Sequence, residues 1–438
     1  MEIPENFVLT SDMKKIIKDI KSKNNVFITG TAGTGKSTFL EYLKQEIFSS
    51  EPVVVAPTGV AALNVNGMTI HKFFSFPIHV TLDLIHEEYY PKYREVMKKL
   101  KVLVIDEISM VRADLLDCVD LVLRKFGPSK TKPFGGVQLI FIGDLLQLSP
   151  ILKGDEKEYI EENYDTPYFF SSNAYKKIRF KSHELSDVFR QKQKKFIQIL
   201  NSIRVDEAEE KYFDELNKRF KKSFKPPKGK LFITLTVTNQ AADNINNSRL
   251  KGIRKKSYEF IAQIIGKVDK DEYPTSDELL LKQGAQVMMV SNDPEGRWVN
   301  GSLGIVDEIV EASDQTFLRV LLEKDKNPVS VFPEVWEIKR PKLIEGKLTH
   351  EVVGSFKQFP LRLAWAITIH KSQGKTFENV AIDLSPRVFA EGQLYVALSR
   401  CTTIDGIVLL TKVNNHQVIV DPNVIEYLES QNLLSSGD

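Results

Sequence analysis

The sequence predicts an α/β protein built on parallel sheets, in two large domains with insertions. Three observations predict it. The runs Asn25–Thr29, Val53–Ala56, Val102–Ile105 and Leu139–Ile142 are short and apolar and are separated by helical segments, the pattern of strands buried on both faces. A glycine-rich loop leads from the first run straight into a helix, a signal that has meaning only in that context. The chain has 438 residues, too many for one ordinary core.

Taken in order, residues 14–23 read as an amphipathic helix through Ile16, Ile17 and Ile20, and Phe39–Phe48 reads as the helix after the glycine loop. His79–Arg94 interrupts the alternation and reads as an insertion, about 76–95 at the domain level. A second alternation starts near Leu185, with strands at Leu231–Val237 and Val287–Val290 and a helix at Ala241–Leu250. Leu303–Val310, Phe317–Leu321 and Val329–Phe332 are short β runs with turns such as Asp325–Pro328, which predicts a small inserted β-barrel. The α/β pattern resumes at Leu361. The expected domains are therefore 1–180, then 181–300 with 361–438, with the barrel at 301–360. Lys218–Lys230 is basic and contains Pro226–Pro227; it reads either as a solvated loop or as a loop that touches DNA.

A net charge of +2, from 60 basic and 58 acidic residues, excludes a histone-like polycation but leaves room for one basic channel. Two unpaired cysteines, Cys118 and Cys401, argue against a disulfide framework or a zinc site and fit a reducing cytoplasm. No stretch reads as a signal peptide or a membrane span.

The chemistry begins at Gly30-Thr31-Ala32-Gly33-Thr34-Gly35-Lys36-Ser37, with Thr38 behind it. Its glycines let successive N–H groups face a phosphate, and the helix start adds a favourable dipole. Lys36 suits the β- and γ-phosphates of ATP, and Ser37 suits Mg²⁺. Asp106 and Glu107 follow the strand Val102–Ile105 at the end of a parallel sheet where ligands bind. Asp106 suits the metal and Glu107 suits the polarising of an attacking water. Gln147, after the next strand, is a candidate γ-phosphate sensor, although one polar loop residue alone is weak support. Arg190 and Arg400 are candidate charge stabilisers; on chemistry alone, surface ion pairs explain each better.

These segments together resemble the Pif-one helicase family, in the B subgroup of superfamily one. The resemblance runs from Phe27 to Thr403. Besides the phosphate loop it rests on Ala56–Ala62, Thr69–Phe74, Ile105–Met110, Gly143–Pro150, Phe189–Gln191, Asn300–Gly304, Ala364–Gly374 and Tyr395–Arg400. Leu116–Phe134, running into Gly135-Gly136, resembles the segment that sets this family apart from its relatives. The resemblance implies two RecA-like domains, ATP between them, Arg190 and Arg400 as finger residues from the second domain, and Gln147 as sensor. It also implies 5′→3′ travel on single-stranded DNA and unwinding of tailed or forked duplexes, with G-quadruplexes and R-loops among the family's substrates. A monomer acting in genome maintenance completes that expectation; a translocase that does not separate strands is the alternative. One departure stands out: Met13 lies where relatives often carry an adenine-reading glutamine.

For the DNA track the sequence offers Pro57, Thr58 and Gly59, with His71 and Phe73 or Phe74, in the first domain. Thr58 and the loop N–H groups can hold a phosphate without reading bases. A phenylalanine can stack on a base, although core packing is the better reading for one of the two. His71 reads equally well as a buried, satisfied histidine. The second domain offers Asn239, Thr368, His370, Lys371, Gln373 and Gly374. Trp365 is flanked by Leu363, Ala364 and Ala366, which favours core over a base platform.

Overall fold

The computed structural model describes all residues except 1, 2, 4–6, 49, 78, 79, 87, 88, 153, 154, 228, 313, 314, 324, 326, 345, 346, 386, 387, 389 and 435–438. Parts of the expected insertion at 79–94 and of the expected turn at Asp325–Pro328 lie outside the described residues. The chain divides into two compact units: Met1–Arg190 with Arg340–Glu351 and Val420–Asp438, and Gln191–Lys339 with Val352–Ile419. Among the described residues no helix is long and apolar enough to cross a membrane.

The first unit is organised by a sheet of six parallel strands. Their order is Met68–Thr69, Val53–Ala56, Val102–Ile105, Gln138–Ile142, Asn25–Gly30 and Phe180–Leu185. The four apolar runs of the sequence are its central strands, buried along their length because helices cover both faces. Helix Ser11–Lys21 lays Met13, Ile16 and Ile20 on Val26, Ile28, Val104 and Ile140. Met13 is therefore a core residue, 1% exposed.

Two boundaries differ from the sequence reading. Phe180–Leu185 is not the start of a second alternation. It pairs in parallel with Asn25–Gly30 along all six residues and closes the first sheet. Its mixed residues, Phe-Lys-Ser-His-Glu-Leu, reflect an edge strand with one half-covered side. Helix Pro422–Ser430, expected in the second domain, packs on the first unit. Tyr427 stacks on Phe170 at 4.3 Å between ring centroids, and its hydroxyl meets that of Tyr175 at 2.5 Å.

The segment Leu116–Phe134 is a helix and its brace. Helix Ala113–Phe126 is followed by a tight turn over Pro133–Gly136, in which Phe134 takes φ 50° and is fully buried. The Phe134 N–H donates to Asp120 Oδ1 at 2.5 Å. Gly135 passes so close to the helix that a Cβ would lie 2.5 Å from the Leu123 carbonyl oxygen. One turn earlier, Asp117 accepts from Ser172 Oγ at 2.6 Å, the Ala174 N–H at 2.8 Å and Tyr164 OH at 3.0 Å, tying the helix to the chain that leads into the edge strand.

The second unit has a parallel sheet of four strands in the order Ala366–Thr368, Ile233–Thr236, Val380–Asp383 and Ile407–Leu409. Among the described residues the strands expected in a barrel show no closing pair. Leu303–Glu311, Thr316–Leu322 and Val329–Val331 form an open antiparallel ladder with Gln286–Met289 and Leu361–Leu363. Val287 thus belongs to this ladder and not to the parallel sheet, and the parallel pattern resumes at Ala366 rather than at Leu361. An apolar run alone does not distinguish the two, because Val287 and Met289 are fully buried in either setting.

Candidate functional site

The C-terminal ends of the first sheet's strands collect the predicted residues of the first unit at one edge. Strand Asn25–Gly30 runs into the loop with Gly30, Gly33 and Gly35 at φ 152°, 92° and 80°. At Gly30 the requirement is steric, since a Cβ would lie 2.7 Å from the Leu185 carbonyl oxygen. Gly35 caps helix Lys36–Tyr42, which Ser37 and Thr38 continue. The Lys36 ammonium folds back on the loop and donates to the carbonyls of Gly30 at 2.7 Å and Thr31 at 3.1 Å. Thr34 Oγ1 donates to the Thr31 carbonyl at 3.0 Å, and Ala32 is nearly buried.

Strand neighbours bring the other groups to this loop. Gln138–Ile142 flanks Asn25–Gly30 on one side, and Val102–Ile105 lies one strand further. Gly143 donates its N–H to Ile28 O at 3.1 Å, and a Cβ there would come within 3.0 Å of the Ile108 nitrogen, so the two strand tips pack on each other. Asp106 is 7% exposed and Glu107 takes φ 51°, a left-handed conformation that costs a non-glycine residue about 1 kcal/mol or more. Burial, then the neighbouring Glu107 carboxylate, pushes the Asp106 pKa up against the pull of Lys36. Gln147 is buried, with its Nε2 donating to Asp144 Oδ2 at 3.0 Å.

These donors fit a nucleotide polyphosphate with Mg²⁺. Crowded, underneutralised carboxyl groups favour a nearby cation. The buried hydroxyls of Thr29, Thr31 and Ser109 have no hydrogen-bond partner among the described residues. Lys36 donates to two loop carbonyls that a phosphate can replace.

Arg190 falls in the first unit, a correction to its expected place in the second. The reason is the edge strand: its exit carries Phe189 to the phosphate loop, where the Phe189 N–H donates to the Gly33 carbonyl at 2.9 Å. The Phe189 ring would sit 3.7 Å from a Gly35 Cβ and is 58% exposed. From the sequence, Phe189 has a place in the motif Phe189–Gln191 but no assigned task. An apolar residue just before a motif arginine is the signal that was available.

Arg400 is in the second unit, 1% exposed and turned inward. Its guanidinium donates to Val396 O at 2.9 Å and Ser399 Oγ at 2.8 Å, with longer bonds to the carbonyls of Ser372 and Lys375. It thereby holds the turn that carries His370, Lys371, Gln373 and Gly374.

The DNA candidates divide. Thr58 caps helix Gly59–Asn64, accepting from the Ala61 N–H at 3.2 Å, with Pro57 just before it. His71 is partly covered, edge-on to Phe76 at 6.3 Å; burial and then Arg112 lower its pKa. Phe73 is corrected to a core residue, and so is Phe74. Both are fully buried, with Phe73 stacked on Tyr93 at 5.8 Å and edge-on to Phe74 at 4.9 Å, so no ring face is free for a base. In the second unit, Thr238 caps helix Asn239–Gly252 and leaves Asn239 exposed at its start. Thr368 Oγ1 accepts from the Lys371 N–H at 3.2 Å, Lys371 points to solvent, and Gly374 turns the chain at φ 75°. His370 has its pKa lowered by burial, and Gln373 is 9% exposed. Trp365 is partly buried against the apolar cluster of the antiparallel ladder.

The sequence reading missed Lys375. Its ammonium is buried and bonds Asn300 Oδ1 at 2.7 Å, and burial followed by Arg362 brings its pKa down to about 8. The available signal was a lysine directly after Gly374, matched to an asparagine in another motif.

Comparison with known proteins agrees with this geometry. A family profile described as PIF1-like helicase matches residues 8–212. The chain is 30% identical over 428 residues to the ATP-dependent DNA helicase Pif1 of Bdellovibrio bacteriovorus, covering 96% of this chain and 91% of that protein. It is similar to the crystal structure of Bacteroides sp. Pif1 in complex with ADP-AlF4, with 35% identity, a TM-score of 0.89 and 98% of each chain covered. It is also similar to Bacteroides Pif1 in complex with ADP-AlF3 and single-stranded DNA, with 36% identity, a TM-score of 0.71 and 98% of each chain covered. The chain spans 60 to 63% of the length of the vertebrate relatives it matches. Phosphate loop, acidic strand tip, sheet architecture and these likenesses lead to one conclusion: the chain belongs to the PIF1-like helicase family.

Proposed function

We propose that this chain is an ATP-driven DNA helicase that moves 5′→3′ along single-stranded DNA and separates tailed and forked duplexes. The observation that carries the reading is the gathering of Lys36, Asp106, Glu107 and Gln147 on adjacent strand tips of one parallel sheet. Binding of ATP replaces the loop carbonyls on Lys36 with the β- and γ-phosphates, while the loop N–H groups and the helix start hold the rest. Ser37 and Asp106 would hold Mg²⁺, which when bound neutralises charge on the phosphate oxygens. Glu107, held on its left-handed turn, orients the attacking water and takes its proton. Gln147, anchored by Asp144, reports the γ-phosphate; the supply of positive charge to phosphoryl transfer by Arg190 and Arg400 rests on the family resemblance.

DNA contacts fall to the Thr-capped helix starts at Thr58–Gly59 and Thr238–Asn239 and to the turn Thr368–Gly374 with His370, Lys371 and Gln373. Hydroxyls and N–H groups at such ends hold phosphates without reading bases, which suits a motor indifferent to sequence. The relatives' names as ATP-dependent DNA helicases, and single-stranded DNA in the Bacteroides complex, support this reading. Travel direction, G-quadruplex and R-loop substrates, action as a monomer and a cytoplasmic place rest on the family resemblance.

The test is ATPase rate with and without single-stranded DNA, followed by strand displacement on 5′- and 3′-tailed duplexes. The reading expects strong stimulation and displacement of the 5′-tailed duplex. ATP turnover indifferent to DNA, or displacement only with a 3′ tail, would overturn it.

A further inference from the structure

We propose that the second unit carries a separate phosphodiester-binding pocket, on the sheet edge opposite the loops assigned to the DNA track. The segment 218–230 holds seven lysines and arginines and no acidic residue. The structure does not leave it as a free loop. Phe220 pairs in parallel with Leu409 of the edge strand Ile407–Leu409, the Lys221 N–H donates to the Leu409 carbonyl at 2.8 Å, and the Leu409 N–H donates to the Arg219 carbonyl at 3.1 Å. The segment then closes a cavity of about 220 Å³ lined by Lys218, Arg219, Lys221, Phe224, Lys230 and Phe232.

Topology sets its place. The cavity is also lined by Asn379 and Ile407 and, with Phe232, lies where three parallel strands begin. Thr238–Asn239 and the turn after Thr368 lie where parallel strands end. In a parallel sheet the two sets occupy opposite edges, so this pocket is not part of the proposed track.

The chemistry of the walls selects the ligand. Phe224 sits edge-on to the buried Phe232 at 4.7 Å and gives the pocket an apolar side. Two cations are already paired: Arg219 with Asp405, and Lys218 with Glu215 at 2.9 Å. Glu323 accepts from the Leu231 N–H and from Asn379 Nδ2. Lys221, Lys222, Lys225 and Lys230 have no carboxylate partner among the described residues and are all exposed. Lys221 and Lys230 line the half-apolar cavity, and Lys222 and Lys225 stand on the same exposed segment; such a set of ammoniums matches a nucleic-acid strand, in which several phosphates lie near an apolar sugar or base face. A single carboxylate would satisfy one of them. The pocket would hold a part of the DNA that the track does not hold, such as the tail or the displaced strand.

The test replaces Lys221, Lys222, Lys225 and Lys230 together with glutamine in the full chain. Binding of a short oligonucleotide that fills only the track, and of a long forked DNA, is measured against salt by fluorescence anisotropy. For the forked DNA, the slope of log affinity on log salt should become shallower by about 3, at roughly 0.7 for each single-strand phosphate released. The four-arginine variant should keep the original slope. Short-oligonucleotide affinity and the ATPase rate it stimulates should stay as in the parent, which keeps the outcome separate from the main functional reading. An unchanged slope with forked DNA would overturn the proposal. So would an equal loss with both DNAs, or a pocket that binds polyglutamate while forked-DNA binding is untouched by the substitutions.

Discussion

The two units solve one local problem in the same way and then diverge. In each, a threonine two residues past a parallel strand caps the next helix. Thr58 and Thr238 have φ/ψ of −122°/153° and −120°/150° and accept from the N–H three residues on, at 3.2 and 3.3 Å. The first unit adds a phosphate loop with three left-handed glycines and the paired carboxylates Asp106 and Glu107 after a strand. The second unit instead buries a guanidinium, Arg400, at the end of helix Gln393–Ser399, bonded to backbone carbonyls. The shared part is a grip for phosphate that any parallel sheet can offer, and the unshared part is the chemistry. On the proposed reading, such a motor would duplicate its hold and not its active centre.

The largest effect expected from breaking this asymmetry is at Glu107. Glu107→Gln should lower DNA-stimulated ATP turnover by about 10²- to 10⁴-fold while nucleotide and DNA still bind in equilibrium assays. Turnover near the parent rate would remove Glu107 from the chemistry. Next comes the boundary between grip and core. Phe73→Ala should cost roughly 3–5 kcal/mol in urea unfolding of the first unit, with little change in single-stranded DNA affinity once folded. Loss of DNA affinity without loss of stability would restore Phe73 to the track.

Lys375 tests the second unit. Its folded pKa is lowered from 10.5 to about 8, so between those values the unfolded chain binds the proton and the folded chain does not. Stability should therefore rise as pH goes from 8 to 10.5, by at most roughly 3 kcal/mol. Lys375→Met should lose that rise in thermal melts across the window; an identical pH profile would refute the assignment. The smallest effects are at the two caps. Thr58→Ala and Thr238→Ala should each cost about 1 kcal/mol and weaken single-stranded DNA binding to similar degrees. A loss confined to one of them would show that the grips are not equivalent.

Much of this was legible because parallel strands buried on both faces leave uninterrupted apolar runs. Val53–Ala56 and Val102–Ile105 match the observed strands residue for residue. The phosphate loop was legible because its glycines answer a local steric demand, as at Gly30. What was hidden depended on distant neighbours. The edge strand Phe180–Leu185 lacks a pattern because only Leu185 is buried, while its other residues are half-buried or exposed. Phe73 and a base-stacking phenylalanine look alike until Tyr93 is seen against the ring. The destination of helix Pro422–Ser430 was set by Phe170 and Tyr175, some 250 residues upstream. Arg400 and a surface arginine cannot be told apart without the carbonyls it binds.

The turn Pro133–Gly136 bears on how such chains are sorted. Its residues serve packing: Phe134 plugs the core and hangs from Asp120, and Gly135 makes room for the Leu123 carbonyl. Kinship read from that segment is kinship of scaffolding. A lineage could therefore lose its catalysis while still carrying this mark, and a chain bearing it needs Glu107 checked separately before it is credited with a working engine.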